Sequence, residues 1–114
     1  MPGSRSRNAR PSATIRYSRA AERDLLGIWD FISAQSGTAQ ADAVLRRIEK
    51  ALKRLERFPH LGRSRPEYGP NARSAVQESW IIYYDLIREK RSILVARILH
   101  AARDQAAVLE QGKV

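Results

Sequence analysis

Apolar residues return every three or four positions in two long stretches of the chain, at about residues 19–35 and 39–57. This spacing predicts two amphipathic helices, each with one buried face. Ser18 is placed to cap the first helix, Gly37 to end it and Thr38 to cap the second. Because so short a link joins them, the helices are expected to pack as an antiparallel hairpin. The predicted buried faces comprise Ala21, Leu25, Ile28, Trp29 and Ile32 in the first helix and Ala41, Val44, Ile48, Ala51, Leu52 and Leu55 in the second.

Shorter apolar segments alternate with a period of two, which is typical of strands. One lies before the helices at residues 13–17, and three follow them at 72–77, 80–87 and 93–99. The segment 80–87 is apolar on both faces, which suits a strand inside a sheet. Proline and glycine residues predict irregular structure over 59–71.

The order of these elements predicts an α+β fold, β-α-α-β-β-β, in which the helix hairpin covers one face of a small, mostly antiparallel sheet. We expect a charged turn at residues 88–91 and a short helix after Arg103. The folded domain is expected to span residues 13–110, between a flexible basic arm at 1–12 and a short tail at 111–114. The length of 114 residues fits this single domain.

The net charge is the unusual feature of the composition, since 21 Lys and Arg residues against 12 Asp and Glu residues give +9. A field of this sign attracts nucleic acid, anionic surfaces or an acidic protein, and does not choose among them. Charge also keeps a small protein soluble, but a large field of one sign favours the existence of a partner. Direct binding to nucleic acid is left open.

Several classes of site are excluded by what the sequence lacks. Without cysteine there are no disulfides, thiolate metal sites or cysteine nucleophiles. His60 and His100 form no metal-binding motif, and glycine motifs for nucleotide phosphates are missing, so we expect neither a metal ion nor another cofactor. No apolar run approaches the roughly 20 residues of a membrane span, and no secretory signal is visible, so a cytoplasmic protein without membrane contact is expected.

Arginine and aromatic residues near the strands remain as candidates for binding. Such side chains can hold phosphates and stack on bases, although aromatic residues at strand spacing more often form a core. Arginine and tryptophan also dominate many protein interfaces. The residues concerned are Arg73, Arg97 and Arg103 beside the predicted sheet and Trp80, Tyr83 and Tyr84 on it. For Arg97 a structural role, with its guanidinium paired to a carboxylate, competes with this interpretation.

Glu67 in the predicted loop and His100 at the end of the last strand offer a possible acid–base pair for cleaving RNA. The structural alternatives are strong, because a lone histidine at a strand end is usually only hydrogen-bonded and a loop glutamate is usually solvated. The residues alone therefore indicate a small basic α+β domain with a nucleic-acid or protein partner.

The sequence nevertheless resembles a known family, the ParE toxins of bacterial type II toxin–antitoxin systems. Residues 18–32 resemble the start of that family's domain, from its first strand into its first helix. Residues 55–67 resemble its central loop, and residues 73–104 its three closing strands and terminal motif. The similarity runs from about residue 13 to residue 109, in the same order as the family's elements, and implies its fold.

The resemblance implies a toxin that is neutralised by a co-expressed ParD-like antitoxin, whose tail wraps the helix hairpin and the sheet. ParE-type members poison DNA gyrase, whereas the related RelE-type members cut mRNA on the ribosome. The RNA-cleaving relatives use a loop Glu, an Arg on the middle strand and a His followed by a Tyr. Glu67 and His100 match this set, but Trp80 stands at the position of the Arg and Ala101 at that of the Tyr.

The comparison favours a gyrase poison without catalytic residues over a ribosome-dependent mRNA endonuclease, and leaves a non-toxic interaction module as a third alternative. Target binding is assigned to Arg73, Trp80, Arg97 and Arg103. Antitoxin binding is assigned to Trp29 and to the cations beside the buried face of the second helix, namely Arg46, Lys50, Arg54 and Arg57.

Overall fold

The computed structural model describes residues 14–87 and 91–102. The predicted arm, tail, terminal helix and most of the charged turn lie outside these residues, as does Arg103. The elements are β1 (Thr14–Tyr17), α1 (Arg19–Ser36), α2 (Thr38–Arg57), β2 (Arg63–Ser64), a 3₁₀ helix (Pro66–Tyr68), β3 (Ala72–Gln77), β4 (Trp80–Ile87) and β5 (Ser92–His100). No helix in the described ranges is both long and apolar enough to span a membrane.

The described strands form one sheet in the order β1-β5-β4-β3-β2. β1 runs parallel to β5, and the other neighbours are antiparallel, which confirms the predicted α+β class and the mostly antiparallel sheet. The prediction of irregular structure over 59–71 was partly wrong, since β2 pairs with β3 and Pro66–Tyr68 forms a 3₁₀ turn. A strand of two residues is too short to show a hydrophobic period.

The helix hairpin has the predicted boundaries to within one residue. Ser18 caps α1 by accepting a hydrogen bond from the Ala21 amide at 2.9 Å. Gly37 ends α1 with a φ of 91°, a left-handed value that favours glycine. Thr38 was predicted as the cap of α2, and this was wrong: Gly37 holds the cap position and Thr38 is already helical. Gly37 is both the C-cap of α1 and the N-cap of α2, and because it has no side chain, α2 begins without a side-chain cap.

The core lies between the helices and one face of the sheet. All six residues predicted for the buried face of α2 are buried, whereas α1 buries Ala21 and Ile28 fully and packs Leu25 and Ile32 partially. Burial alternates along β4, the central strand. We call the side toward the helices, which carries Trp80, Ile82, Tyr84 and Leu86, the closed face, and the other side, which carries Ile81, Tyr83, Asp85 and Ile87, the open face.

Candidate functional site

Four cations follow one another along the exposed side of α2. Their spacing of four, four and three residues places them on one helical surface, which we call the cation stripe: Arg46, Lys50, Arg54 and Arg57. All four are exposed, as predicted for residues that meet an acidic partner. The guanidinium of Arg57 also lies 5.8 Å from the centre of the Phe58 ring, an exposed aromatic side chain at the end of the stripe.

Trp29 lies where the two helices meet. Its indole Nε1 donates a hydrogen bond to Asp42 Oδ1 at 2.9 Å and so joins α1 to α2. The side chain is half-buried, and part of it remains accessible beside the hairpin. Its assignment to antitoxin binding stays a prediction.

An apolar groove of about 400 Å³ adjoins the cation stripe between α2 and the β2–β3 edge of the sheet. Leu61 and Val76 line it and expose 56% and 71% of their surfaces. Arg54 and Arg63 lie on its walls. Neither Leu61 nor Val76 was among the residues predicted from the sequence to bind the antitoxin.

Arg73, assigned to target binding from the sequence, holds the loop after α2. Its Nη1 donates to the Gly62 carbonyl oxygen at 3.0 Å. Tyr84 binds the same loop, because its hydroxyl accepts from the Gly62 amide at 3.0 Å and donates to the Pro59 carbonyl oxygen at 2.6 Å. A Cβ at Gly62 would approach the Tyr84 hydroxyl to 2.5 Å, so only glycine allows this contact. Arg73 therefore has a structural contact besides any role in binding.

Arg97, also assigned to target binding, is paired with Asp24 of α1. Arg97 Nε donates to Asp24 Oδ2 at 2.8 Å and Nη2 donates to Asp24 Oδ1 at 3.0 Å. Asp24 Oδ2 accepts a third hydrogen bond from the Ile98 amide at 2.9 Å. A β-bulge precedes this contact, since Tyr83 is opposite Arg97 and Tyr84 is opposite Val95. The pairing matches the structural alternative considered for Arg97 from the sequence.

Trp80 has a relative exposure of 6% and belongs to the core cluster, so its ring is not presented for contact with a target in this conformation. Its edge meets the ring of His100, with 5.0 Å between centres and 87° between planes. His100 Nδ1 accepts a hydrogen bond from the Ala102 amide. Glu67, in the 3₁₀ helix, accepts instead from Arg65 Nη1 at 3.3 Å. The structure therefore gives Glu67 and His100 different partners and does not join them as an acid–base pair.

A cleft of about 180 Å³ opens on the open face beside Arg97. Arg73 also borders this cleft, although its register opposite Tyr84 places it on the closed face. Tyr68, from the 3₁₀ helix, and Tyr83 also line this cleft, with their rings edge to face at 5.6 Å. Burial raises the pKa of the Tyr83 hydroxyl above its usual value, and the negative charge of an ionised Tyr68 hydroxyl adds to the effect. Asp85 also lines the cleft, and it was not among the site residues predicted from the sequence. The sequence feature that could have indicated this residue is the presence of one charged side chain inside an otherwise apolar strand.

Within residues 14–87 and 91–102, no cluster of side chains has the composition of a metal site. The sequence-predicted target residues are thus dispersed. Arg73 and Arg97 share the cleft, Trp80 lies in the core and Arg103 is beyond the described ranges. The predicted antitoxin residues, by contrast, lie together on the hairpin.

Comparison with known proteins identifies relatives over most of the chain. Residues 15–105 match the family model of the "ParE toxin of type II toxin-antitoxin system, parDE". Toxin ParE3 of Caulobacter vibrioides is 33% identical over 92 residues, which cover 81% of this chain and 90% of that protein. Toxin ParE1 of Mycobacterium tuberculosis is 33% identical over 93 residues, which cover 82% of this chain and 94% of that protein.

Solved structures share the fold. A chain of the chromosomal ParDE toxin–antitoxin system of P. aeruginosa matches with a TM-score of 0.67 and 22% identity, over 78% of this chain and 96% of that one. A chain of the RelBE2 toxin–antitoxin complex of Mycobacterium tuberculosis matches with a TM-score of 0.58 and 25% identity, over 79% of this chain and 99% of that one. The isolated RelE toxin of E. coli matches with a TM-score of 0.58 and 15% identity, over 90% of this chain and 98% of that one.

The matched family model spans nearly the whole described domain, and the element order and sheet agree with these structures. This chain belongs to the ParE family of toxins of type II toxin–antitoxin systems.

Proposed function

We propose that this chain inhibits growth by binding DNA gyrase, and that a ParD-like antitoxin neutralises it. Family membership supports the first part, together with the replacement of two of the four residues that the RNA-cleaving relatives use. A toxin that binds its target needs a surface, whereas an RNA-cleaving toxin needs a general acid and base within reach of one phosphate. The observation that carries the proposal is that Trp80 and Ala101 stand where the RNA-cleaving relatives have an arginine and a tyrosine.

The target test uses the purified chain in two assays side by side, DNA supercoiling by gyrase and cleavage of mRNA on translating ribosomes. We expect inhibition of supercoiling and no cleavage. His100→Ala is expected to leave the RNA assay unchanged, because a working general acid typically contributes about 100- to 10,000-fold. Ribosome-dependent cleavage that falls by such a factor in His100→Ala would replace the gyrase proposal with the endonuclease. Inactivity in both assays, and in cells, would point to a non-toxic module.

Arg103 is our first candidate for a residue that contacts the target, and Arg73 the second. Arg103→Ala is expected to remove toxicity while the chain still folds and binds its antitoxin. Arg73→Ala is a less clean test, because it also removes the hydrogen bond to Gly62. Its thermal stability must therefore be measured beside its toxicity. Full toxicity of both variants at normal expression would place the target surface elsewhere, on the helix hairpin.

The antitoxin is expected to place an acidic, apolar segment on the cation stripe and the adjoining groove. Exposed ion pairs contribute only about 0–1 kcal/mol each, so burial of Leu61 and Val76 should supply most of the affinity. The cations should mainly raise the association rate. Stopped-flow association at increasing salt tests this division.

The matched variants are Lys50→Gln, which removes a charge from the stripe, and Val76→Ser, which makes the groove polar. We expect Lys50→Gln to slow association and reduce its salt dependence, and Val76→Ser to speed dissociation. An association rate that does not respond to salt would contradict the electrostatic part of the proposal.

A further inference from the structure

The cleft on the open face holds a carboxylate in an unusual position. Asp85 lies in β4, the middle strand of five, where aspartate is depleted because its short polar side chain gains little from packing on a sheet. Its direct neighbours across the sheet are Ala72 on β3 and Leu94 on β5. Asp85 is thus half-buried between two apolar residues and lines an open cleft.

The two arginines that line this cleft are engaged elsewhere. Arg97 gives its Nε and Nη2 to Asp24, and Arg73 gives its Nη1 to the Gly62 carbonyl oxygen. Within the described residues, neither arginine forms an ion pair with Asp85. Burial has removed part of the hydration of the carboxylate and raises its pKa, and no ion pair to it forms among residues 14–87 and 91–102.

The aromatic wall of the cleft suits a flat cation. Tyr68 and Tyr83 lie edge to face at 85°, and both line the cleft that Asp85 enters. A ring face attracts a guanidinium group, which can also pair with a carboxylate through two parallel hydrogen bonds. The cleft holds about 180 Å³, which is space for a single side chain.

We propose that this cleft receives the guanidinium group of one arginine of the neutralising antitoxin, paired with Asp85 and stacked on Tyr68 or Tyr83. Only the identity of the partner rests on the proposed function. In a chain of net charge +9, a carboxylate at an open cleft is a local site that favours a basic group of the partner. This contact would fix the position of the antitoxin on the chain, whereas the charge of the cation stripe only attracts the antitoxin to the helix hairpin.

The first test needs no antitoxin. N-acetyl-arginine amide is titrated into the purified chain while the ring resonances of Tyr68 and Tyr83 and the Asp85 carboxyl carbon are followed by NMR. N-acetyl-glutamine amide is the neutral probe of similar size. Saturable shifts with the arginine probe alone, lost in Asp85→Asn, are expected. Asp30→Asn is the matched control, since it makes the same change at an exposed helical position. Equal binding of the arginine probe to the wild type and Asp85→Asn would overturn the site.

The second test uses the antitoxin. Asp85→Asn should weaken binding at least about tenfold, as expected for loss of a charge-assisted hydrogen bond, and Asp30→Asn should not. Each arginine of the antitoxin is then replaced in turn, and for one of them the loss should not add to that of Asp85→Asn. If the loss of affinity from every antitoxin replacement adds to the loss from Asp85→Asn, the assignment to the antitoxin is overturned, even when the arginine probe binds. If the wild type binds no antitoxin, the proposed function fails, while the probe titration still decides the site.

Discussion

Tyr83 and Tyr84 are neighbours in the chain and lie on opposite faces of the same strand. Tyr84 is buried on the closed face, where its hydroxyl bonds to both Pro59 and Gly62. Tyr83 is half-buried on the open face, against Tyr68 at the edge of a cleft. The same residue type therefore anchors a loop on one side of the sheet and lines an open cleft on the other. The Tyr84 hydroxyl forms its hydrogen bonds within the chain, whereas the cleft on the open face is where we propose that an arginine of the antitoxin binds.

The largest expected effect comes from removing the closed-face tyrosine. Tyr84→Ala should lower the free energy of unfolding by about 3–5 kcal/mol, because it leaves a cavity and unpairs the loop groups at Pro59 and Gly62. Tyr83→Ala, the matched variant on the open face, should cost only about 1 kcal/mol. Denaturant unfolding measures both. Similar losses for the two variants would break the distinction between the faces.

The next effect concerns the contact between α1 and β5. Asp24→Ala removes three hydrogen bonds and should cost about 2–3 kcal/mol, less than a fully buried pair because the Arg97 side chain is 27% exposed. Asp30→Ala, on an exposed part of the same helix, should change the free energy of unfolding by no more than about 0.5 kcal/mol.

A double-mutant cycle sharpens this prediction. If Arg97 acts through Asp24, the losses of Asp24→Ala and Arg97→Ala should overlap strongly in the double variant. Additive losses in the unfolding experiment would mean that Arg97 is not primarily a structural residue, and would favour its original assignment to target binding.

Asp85→Asn is expected to produce a smaller change, and in the opposite direction. Burial raises the pKa of the Asp85 carboxyl above its ordinary 3.8 in the folded chain. Below pH 3.8 the group is protonated in both the folded and unfolded states and costs nothing. As the pH rises through 3.8 the unfolded state ionises first, so the wild type loses stability until the folded-state pKa is passed. The gain of Asp85→Asn should therefore grow over this interval and persist at pH 7.

Unfolding at a series of pH values measures this difference. A stability gain from replacing Asp85 would be typical of a residue kept for binding, since such positions commonly cost stability. If Asp85→Asn is less stable than the wild type at pH 7, the carboxylate has a structural partner and the open-face site loses its main support.

The sequence predicted the helix hairpin in detail because its signal is local and periodic. All six residues assigned to the core side of α2 are buried, and Ser18 and Gly37 mark the ends of α1 as expected. The two-residue β2 had no period to detect, and Thr38 was misassigned because one glycine was enough to connect the helices.

The candidate site was less predictable because its contacts are distant in the chain. Asp24 and Arg97 are 73 residues apart, and their pairing depends on a bulge that no local pattern encodes. Trp80 was assigned to target binding by residue type, whereas its place in the register puts it on the closed face. The α2 cations were found from the sequence, because a helix converts spacing directly into a shared surface.

The central claim is that this toxin acts through a surface and not through a catalytic pair. The most direct measurement is growth after induction of Glu67→Ala/His100→Ala in cells without antitoxin, at protein levels and thermal stability matched to the wild type. We expect growth inhibition equal to that of the wild type, because Trp80 and Ala101 already replace two of the four residues that the RNA-cleaving relatives use. Relief of inhibition in a double variant that folds normally would contradict it.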